Sequence, residues 1–223
     1  MTLTKRESNK LANRAAILNG AVDVFISLGF GAATVRDIVR ASGLAIGSYY
    51  NYFDSKEDVF AALVEEIITP LATRLKASRR EARTVEDFVR GPFGIAMDFA
   101  LENPRPAALI ARNQTLFRET FYLGRAATLV QRDLQTDLEA WVAAGKMAPH
   151  DSALMTDAML ALGFDVVVQA ALSQTRHPAR LDFLVDLFCS RLAPASGTAS
   201  PTDNRSRPDV IDPAPGHPAG THP

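Results

Sequence analysis

The chain of 223 residues is 47% hydrophobic, which is enough to bury the core of one or two domains. Its formal net charge of -1 gives no overall attraction to a polyanion, and its single cysteine, Cys189, excludes an internal disulfide and suits a reducing compartment. Because no run approaches the roughly 18 to 20 apolar residues that cross a membrane, and the N-terminus lacks the apolar stretch of a signal peptide, we expect a cytoplasmic protein without a membrane segment.

The N-terminal part of the chain is predicted to hold a flexible arm and one long helix. Residues 1–9 are polar and carry Lys5 and Arg6, so we expect a mobile basic arm. Over residues 10–28 apolar side chains recur at the spacing of one helical face, and Gly29 can end that helix. Residues 1–53 hold six basic and three acidic side chains, and this local positive charge suits contact with nucleic acid.

Residues 34–53 are typical of two short helices joined by a tight turn. Thr34 can cap the first helix, and Gly43 can end it in the left-handed conformation. A second helix should begin near Ile46. At about 100° per residue, Tyr49 and Phe53 share one face of this helix, and we expect both in the core.

The other face of the second helix is thin and polar. It carries Gly47, Ser48 and Asn51, with Tyr50 and Tyr52 on its two flanks. Small side chains allow close approach to base edges, and tyrosine hydroxyls can reach phosphates, so this face suits a DNA major groove. Simple core packing of an aromatic helix is the alternative interpretation.

The spacing of residues over 14–58 resembles the N-terminal domain of the TetR family of bacterial transcription regulators. The resemblance implies an all-α protein with an N-terminal three-helix helix-turn-helix domain over residues 10–55 and a helical ligand-binding and dimerisation domain over residues 56–193. It also implies a homodimer that binds a double-stranded, palindromic DNA operator and responds to a small-molecule effector. The residues that carry the resemblance are Arg14, Ala21, Phe25, Gly29, Phe30, Thr34, Ile38, Ala41, Ser42, Gly43, Gly47, Tyr50, Tyr52, Phe53, Ser55, Lys56 and Glu57.

The same resemblance assigns DNA-binding roles by position. Among the candidates that match base-facing positions, Arg36 is the best guanine reader, because an arginine can bond both acceptors on that base edge. Ala45 and Ile46 depart from the polar residues common in the family, so the recognition helix should lack a side-chain cap at its start. The positions that match phosphate contacts are Thr34, Tyr50, Tyr52 and Lys56, and those that match base contacts are Arg36, Ile46, Gly47, Ser48 and Asn51.

Beyond residue 58 only helical periodicity guides the prediction. Pro70 should kink or break the fourth helix, and Gly91-Pro92 should interrupt the fifth. Residues 194–223 are rich in proline and lack aromatic residues and leucine, so we expect a disordered tail. The predicted helices cover residues 56–80, 84–103, 104–113, 115–144, 153–172 and 180–192.

The last two predicted helices are candidates for a dimer interface. Residues 155–172 are apolar all round, which predicts burial on every side. We expect these two helices to pair with their copies in a four-helix interface. Burial within one subunit is the alternative.

The middle helices should enclose a ligand pocket for a hydrophobic small molecule. Arg112 and Asn113 are polar residues in an apolar region, and a buried arginine there can hold an anionic group of a ligand or pair with Asp165. Plain core packing of the aromatic residues is the alternative to a pocket wall. The predicted ligand-binding residues are Phe93, Met97, Arg112, Asn113, Phe117, Phe121, Tyr122 and Phe164.

The sequence argues against an enzyme and against a metal or other cofactor. No histidine occurs before His150, and no glutamate lies three residues before any histidine, as a di-iron site requires. The resemblance to the TetR family implies instead a ligand-responsive repressor. The alternatives are a transcriptional activator and a helical small-molecule-binding protein with no role in gene regulation.

Overall fold

The computed structural model describes residues 4–194, which form ten α-helices and contain no strand. The first three helices make a small N-terminal domain, and α4 leads from it into the larger helical domain. This confirms the predicted all-α class. The helices are α1 (Lys5–Ser27), α2 (Val35–Ser42), α3 (Ile46–Tyr50), α4 (Lys56–Glu81), α5 (Val85–Glu102), α6 (Pro104–Arg112), α7 (Gln114–Leu123), α8 (Arg125–Ala143), α9 (Ser152–Ser173) and α10 (Pro178–Leu192).

Helix α1 starts earlier than the sequence prediction. Residues 5–9, expected to be part of a mobile arm, form the first turns of α1, and residues 1–3 lie outside the described part. The reason is a capping box in which Thr4 Oγ1 accepts a hydrogen bond from the Glu7 backbone N–H at 3.3 Å. The Glu7 carboxylate accepts one from the Thr4 N–H at 2.8 Å in return.

Neither of the two prolines that were expected to disturb a helix breaks it. Helix α4 runs without a break through Pro70, which lies on an exposed face where water can satisfy the carbonyl that the missing N–H leaves free. Helix α5 is likewise continuous through Gly91-Pro92, so the predicted interruption there is wrong. Both helices therefore connect distant parts of the molecule as single elements.

The single helix predicted over residues 115–144 is two helices. Gly124 adopts an extended conformation, with φ -86° and ψ 162°, and separates α7 from α8. Its N–H still bonds to the Phe121 carbonyl at 3.0 Å and so closes α7. The chain can therefore change direction at residue 124, and α7 and α8 line different sides of the interior of the larger domain.

Helices α9 and α10 leave apolar side chains uncovered. Helix α9 has the length and composition of a membrane span, but core helices of soluble proteins have them too, and α9 packs against α5, α6 and α8. Burial on every side is not observed within one chain, because Leu154 and Leu172 on α9 are 68% and 64% exposed. Phe183 on α10 is also 64% exposed. The predicted tail lies outside the described residues from position 195 onward.

The core is continuous from the N-terminal domain into the larger domain. Phe25 at the end of α1 and Phe60 in α4 are fully buried, and their ring centroids lie 5.5 Å apart. Phe60 in turn meets Phe117 of α7, with 6.3 Å between the ring centroids. A chain of aromatic contacts thus joins the two domains.

Candidate DNA-binding surface and ligand cavity

Helix α2 is fixed at both ends by its own sequence. Thr34 Oγ1 accepts a hydrogen bond from the Asp37 N–H at 3.2 Å and donates one to the Asp37 carboxylate at 2.6 Å. These bonds from Thr34 hold the pKa of Asp37 below its usual value. Gly43 ends the helix with φ 69°. The predicted phosphate contact Thr34 therefore has a structural role as a helix cap.

Helix α3 has five residues and is held by its aromatic side rather than by a cap. Ala45 at the N-cap makes no side-chain hydrogen bond, as the sequence predicted. Tyr49 is fully buried, and its hydroxyl donates to the Ser55 carbonyl at 2.8 Å. Burial raises the pKa of Tyr49 to about 12, and the acidic residues Asp58 and Glu57 add to the shift.

The residues with predicted base contacts lie at or near the surface of α2 and α3. Arg36 and Asn51 are exposed, Ile46 is 48% exposed, and Ser48 is half-buried. A Cβ added at Gly47 would have open space around it, so glycine is not needed there to pack the free protein. These positions leave an accessible, thin face on α3, which suits close approach by another molecule.

The predicted phosphate contacts have different environments. Tyr50 is 53% exposed, whereas Tyr52 is half-buried against the core. Lys56 points inward: its Nζ donates to the Phe30 and Ala33 carbonyls, both at 2.9 Å. Its Nζ also lies 4.4 Å from the centroid of the Phe30 ring. Two of the three Lys56 donors are thus engaged within the domain, a role that sequence reasoning missed because the partners are 23 and 26 positions away.

An apolar cavity of ≈ 120 Å³ lies in the larger domain among α4, α5, α6, α7, α8 and α9. Five of the predicted pocket residues are on its wall: Phe93, Phe117, Phe121, Tyr122 and Phe164. Sequence reasoning missed the contribution of α4, which supplies Ile68, Leu71, Leu75 and Arg79.

Three predicted pocket residues are not on the cavity wall. Met97 is buried elsewhere and accepts a hydrogen bond on Sδ from the His177 N–H at 3.4 Å. Arg112 is exposed beside Gly29, so the expectation of a buried arginine is wrong. Asp165 pairs with Arg180 at 2.8 Å and not with Arg112, because α10 brings Arg180 next to α9.

Asn113 lies at the junction of α6 and α7, also away from the cavity, and joins the two domains. Its Nδ2 donates to the Phe25 carbonyl at 3.1 Å and to the Leu109 carbonyl at 3.0 Å. Its Oδ1 accepts from the Phe30 N–H at 2.8 Å. We name this set of hydrogen bonds the Asn113 clamp. It ties the end of α1 to the start of α7, whose Phe117 faces the cavity.

Arg79 is the charged residue of the cavity wall. Its side chain comes from the end of α4 and is nearly buried, and its Nε donates to an Asp137 carboxylate oxygen at 2.7 Å. Asp137 lies on α8, so the pair crosses between two walls of the cavity. Within residues 4–194 no group of three His, Cys, Asp or Glu side chains is placed to hold a metal ion.

Comparisons with known proteins agree with this architecture. Residues 17–63 match the family described as bacterial regulatory proteins, tetR family. The HTH-type transcriptional regulator RutR of Escherichia coli (strain K12) is 26% identical over 164 residues, which cover 67% of this chain and 71% of RutR.

Two solved structures share the fold over most of their length. The fatty acid degradation regulator FadR from Bacillus halodurans has a TM-score of 0.65 at 20% identity, covering 78% of this chain and 93% of that one. FadR from Bacillus subtilis, solved in complex with stearoyl-CoA, has a TM-score of 0.67 at 17% identity, covering 79% and 97%.

The matched segment runs from the middle of α1 through α2 and α3 to the start of α4 and so includes the two short helices and the tight turn. The helical domain behind that segment has the same fold as the solved regulators. The chain therefore carries the segment of the tetR family of bacterial regulatory proteins over residues 17–63, within a fold that it shares with solved regulators.

Proposed function

We propose that the protein is a cytoplasmic, homodimeric repressor that binds a palindromic operator and is released from it by a hydrophobic small molecule. The observation that carries this proposal is the placement of α7. One end of α7 begins at the Asn113 clamp, and its Phe117, Phe121 and Tyr122 line the cavity. A ligand that moves α7 therefore acts, through the Asn113 clamp, on the end of α1 and the turn that follows it.

The clamp supports a specific route for this effect. Asn113 holds the Phe30 N–H, and the Phe30 carbonyl is in turn held by Lys56 at the start of α4. Lys56 also binds the Ala33 carbonyl, next to the cap of α2. A shift at the start of α7 thus reaches α2 through hydrogen bonds at each step. Operator and ligand then oppose each other by the same factor, since coupling between two sites is reciprocal.

The uncovered apolar side chains support a dimer. Leu154 and Leu172 on α9, with Phe183 and Leu187 on α10, are large apolar groups that one chain leaves in water. Burying such side chains contributes about 25 cal/mol per Å² of apolar area removed from water. A two-fold dimer whose recognition helices lie about 34 to 36 Å apart, or at a larger matching span, would suit a palindromic site.

The composition of the cavity wall supports a hydrophobic ligand. Aromatic and aliphatic side chains make up nearly all of the wall, and Arg79 is its charged residue. The solved FadR from Bacillus subtilis contains stearoyl-CoA, a molecule with a long apolar chain, in the same fold. The shared fold and the apolar wall together favour a ligand that buries a hydrocarbon part.

The test uses fluorescence anisotropy with the DNA that lies upstream of the protein's own gene. We expect a specific complex of two chains per duplex that weakens steeply as salt rises, whereas a scrambled duplex should bind far less tightly. Compounds extracted from the protein purified from cells, identified by mass spectrometry, are then added back. A bound compound that leaves operator affinity unchanged would refute release by ligand, and failure to bind any neighbouring promoter would refute the regulator itself.

A further inference from the structure

Arg79 is a guanidinium with unused donors at the edge of the apolar cavity. The residue is 5% exposed, and a charge so deeply buried needs partners. Its Nε is satisfied by Asp137 at 2.7 Å. Within residues 4–194 the structure gives no hydrogen-bond acceptor to its Nη1 and Nη2 atoms, so up to four N–H donors remain for another group.

The position of Arg79 makes these donors accessible to a molecule in the cavity. A second, more polar groove adjoins the cavity on the side of α4 and α8. Four residues line both the cavity and the groove: Ala72, Leu75, Arg79 and Val130. Arg79 therefore lies where the cavity meets the groove. A ligand with its apolar part in the cavity would have its other end at this guanidinium.

The groove itself is rich in basic side chains. Lys76 and Arg80 from α4 join Arg79 there, and two acidic residues, Asp133 and Asp137, face them from α8. Lys76 pairs with Asp133 at 2.7 Å, which leaves one basic charge in excess among the five groups. The mouth of the cavity therefore favours an anionic group over a cationic one.

We infer that the ligand of this cavity is an anionic amphiphile, with a carboxylate bound by the Nη atoms of Arg79 and a hydrocarbon chain inside the cavity. The inference rests on the proposed function, since it names the class of effector that the repressor would take. Guanidinium groups bind carboxylates through two parallel hydrogen bonds, which fixes the orientation of the ligand. A cavity of ≈ 120 Å³ has room for roughly four groups of about 30 Å³ each, so a ten-carbon chain is more than long enough to fill it from Arg79 and serves as the probe.

The test compares decanoate with 1-decanol, which has the same chain and no charge, by isothermal titration calorimetry at pH 7.5. We expect the wild-type protein to bind decanoate at least tenfold more tightly than 1-decanol. The double variant Arg79→Met, Asp137→Asn removes both members of the ion pair and leaves no unpaired charge. It should bind the two probes with equal affinity, because only the guanidinium distinguishes them.

A second variant guards against a result caused by misfolding. Asp137→Asn keeps Arg79 and removes the acid that competes with the ligand, so decanoate affinity should rise severalfold while 1-decanol affinity stays the same. A purely structural Arg79–Asp137 pair predicts no gain for decanoate in this variant. The melting temperature of each variant shows whether it is folded.

The outcomes separate this inference from the proposed function. Equal binding of both probes by the wild-type protein overturns the anionic class but leaves a hydrophobic effector in place. A preference for decanoate that survives in the double variant overturns the role of Arg79. Failure of both probes to bind also overturns the inference. The operator-binding experiment above tests the proposed repressor function independently of these results.

Discussion

The Asn113 side-chain oxygen accepts a hydrogen bond from the Phe30 backbone N–H at 2.8 Å, across 83 positions of sequence. The same side chain donates to the Phe25 carbonyl, so one buried amide holds both sides of the turn that follows α1. We expect Asn113→Ala to lower the free energy of unfolding by about 1–3 kcal/mol, because buried polar groups of the backbone lose their partner. Urea unfolding measures this decrease.

The same variant tests coupling between the two domains. In Asn113→Ala a bound ligand should change operator affinity less than in the wild-type protein, because α7 no longer holds the end of α1. Arg112→Ala is the matched control, since Arg112 is the exposed neighbour of Asn113. Coupling that is intact in Asn113→Ala would show that the signal travels by another route.

Lys56→Met tests whether Lys56 stabilises the DNA-binding domain. The variant keeps most of the side-chain volume and removes two hydrogen bonds to the Phe30 and Ala33 carbonyls. Hydrogen bonds to a charged group contribute about 1.5–3 kcal/mol each, so the free energy of unfolding should fall by roughly that amount or more. Lys10→Met, at an exposed position of α1, is the control.

DNA binding by Lys56→Met separates the structural role from binding to a phosphate. Replacing a lysine that binds a DNA phosphate reduces the slope of log affinity against log salt by about one. Because Lys56 is engaged within the domain, we expect an unchanged slope with a weaker overall affinity. A slope lower by about one would restore the phosphate-binding role that the sequence suggested.

Gly47→Ala should affect DNA binding and protein stability in opposite directions. The added Cβ meets no atom within 4 Å in the free protein, and alanine is favoured over glycine in a helix by about 0.5–1 kcal/mol. Stability should therefore rise slightly. Operator affinity should fall if the backbone of α3 lies against the DNA, because the methyl group then occupies the space between them. Gly31→Ala, which also has open space, is the control, and equal operator affinity in both variants would place α3 away from the groove.

Arg36→Ala should change sequence preference more than stability. Arg36 is exposed, and none of the ion pairs found within residues 4–194 includes it. We expect operator binding to weaken by about 1–3 kcal/mol and the preference at one base pair to relax. Competition binding with single-base variants of the operator measures this, and Arg40→Ala on the same helix is the control. An equal decrease on specific and random DNA would contradict base reading by Arg36.

The pKa of Tyr49 predicts a decrease in stability at alkaline pH. The unfolded chain ionises this phenol near its ordinary pKa of 10, whereas the folded protein does so at about 12. The unfolded state therefore releases its proton first, and the stability that Tyr49 contributes falls as pH rises from 10 to 12. The difference in unfolding free energy between the wild-type protein and Tyr49→Phe should shrink over this range. A constant difference would show that the shift is absent.

The features that the sequence predicted well are local ones. Thr34 and Gly43 act within three or four residues of themselves, so a capping pattern is enough to place α2. The aromatic residues of the cavity wall were found for a similar reason, because large apolar side chains at helical spacing must face an interior.

The features that the sequence did not predict depend on partners far away in the chain. Lys56, Arg79 and Asn113 look like ordinary polar residues until the fold brings Phe30, Asp137 and Phe25 to them. Arg112 shows the reverse error. It follows an apolar run, yet it points outward, because the face of a short helix such as α6 cannot be assigned from neighbours alone.

Because α4 is continuous through Pro70, a small movement of the helix near the cavity also displaces its other end. Its 26 residues make a rod about 39 Å long, with Lys56 at one end and Arg79 near the other. A tilt of only ~5° about one end displaces the far end by roughly 3.4 Å, which equals the rise of one base-pair step. If the protein is the repressor proposed above, a tilt of this size in α4 on ligand binding would shift a recognition helix out of register with its half of the operator.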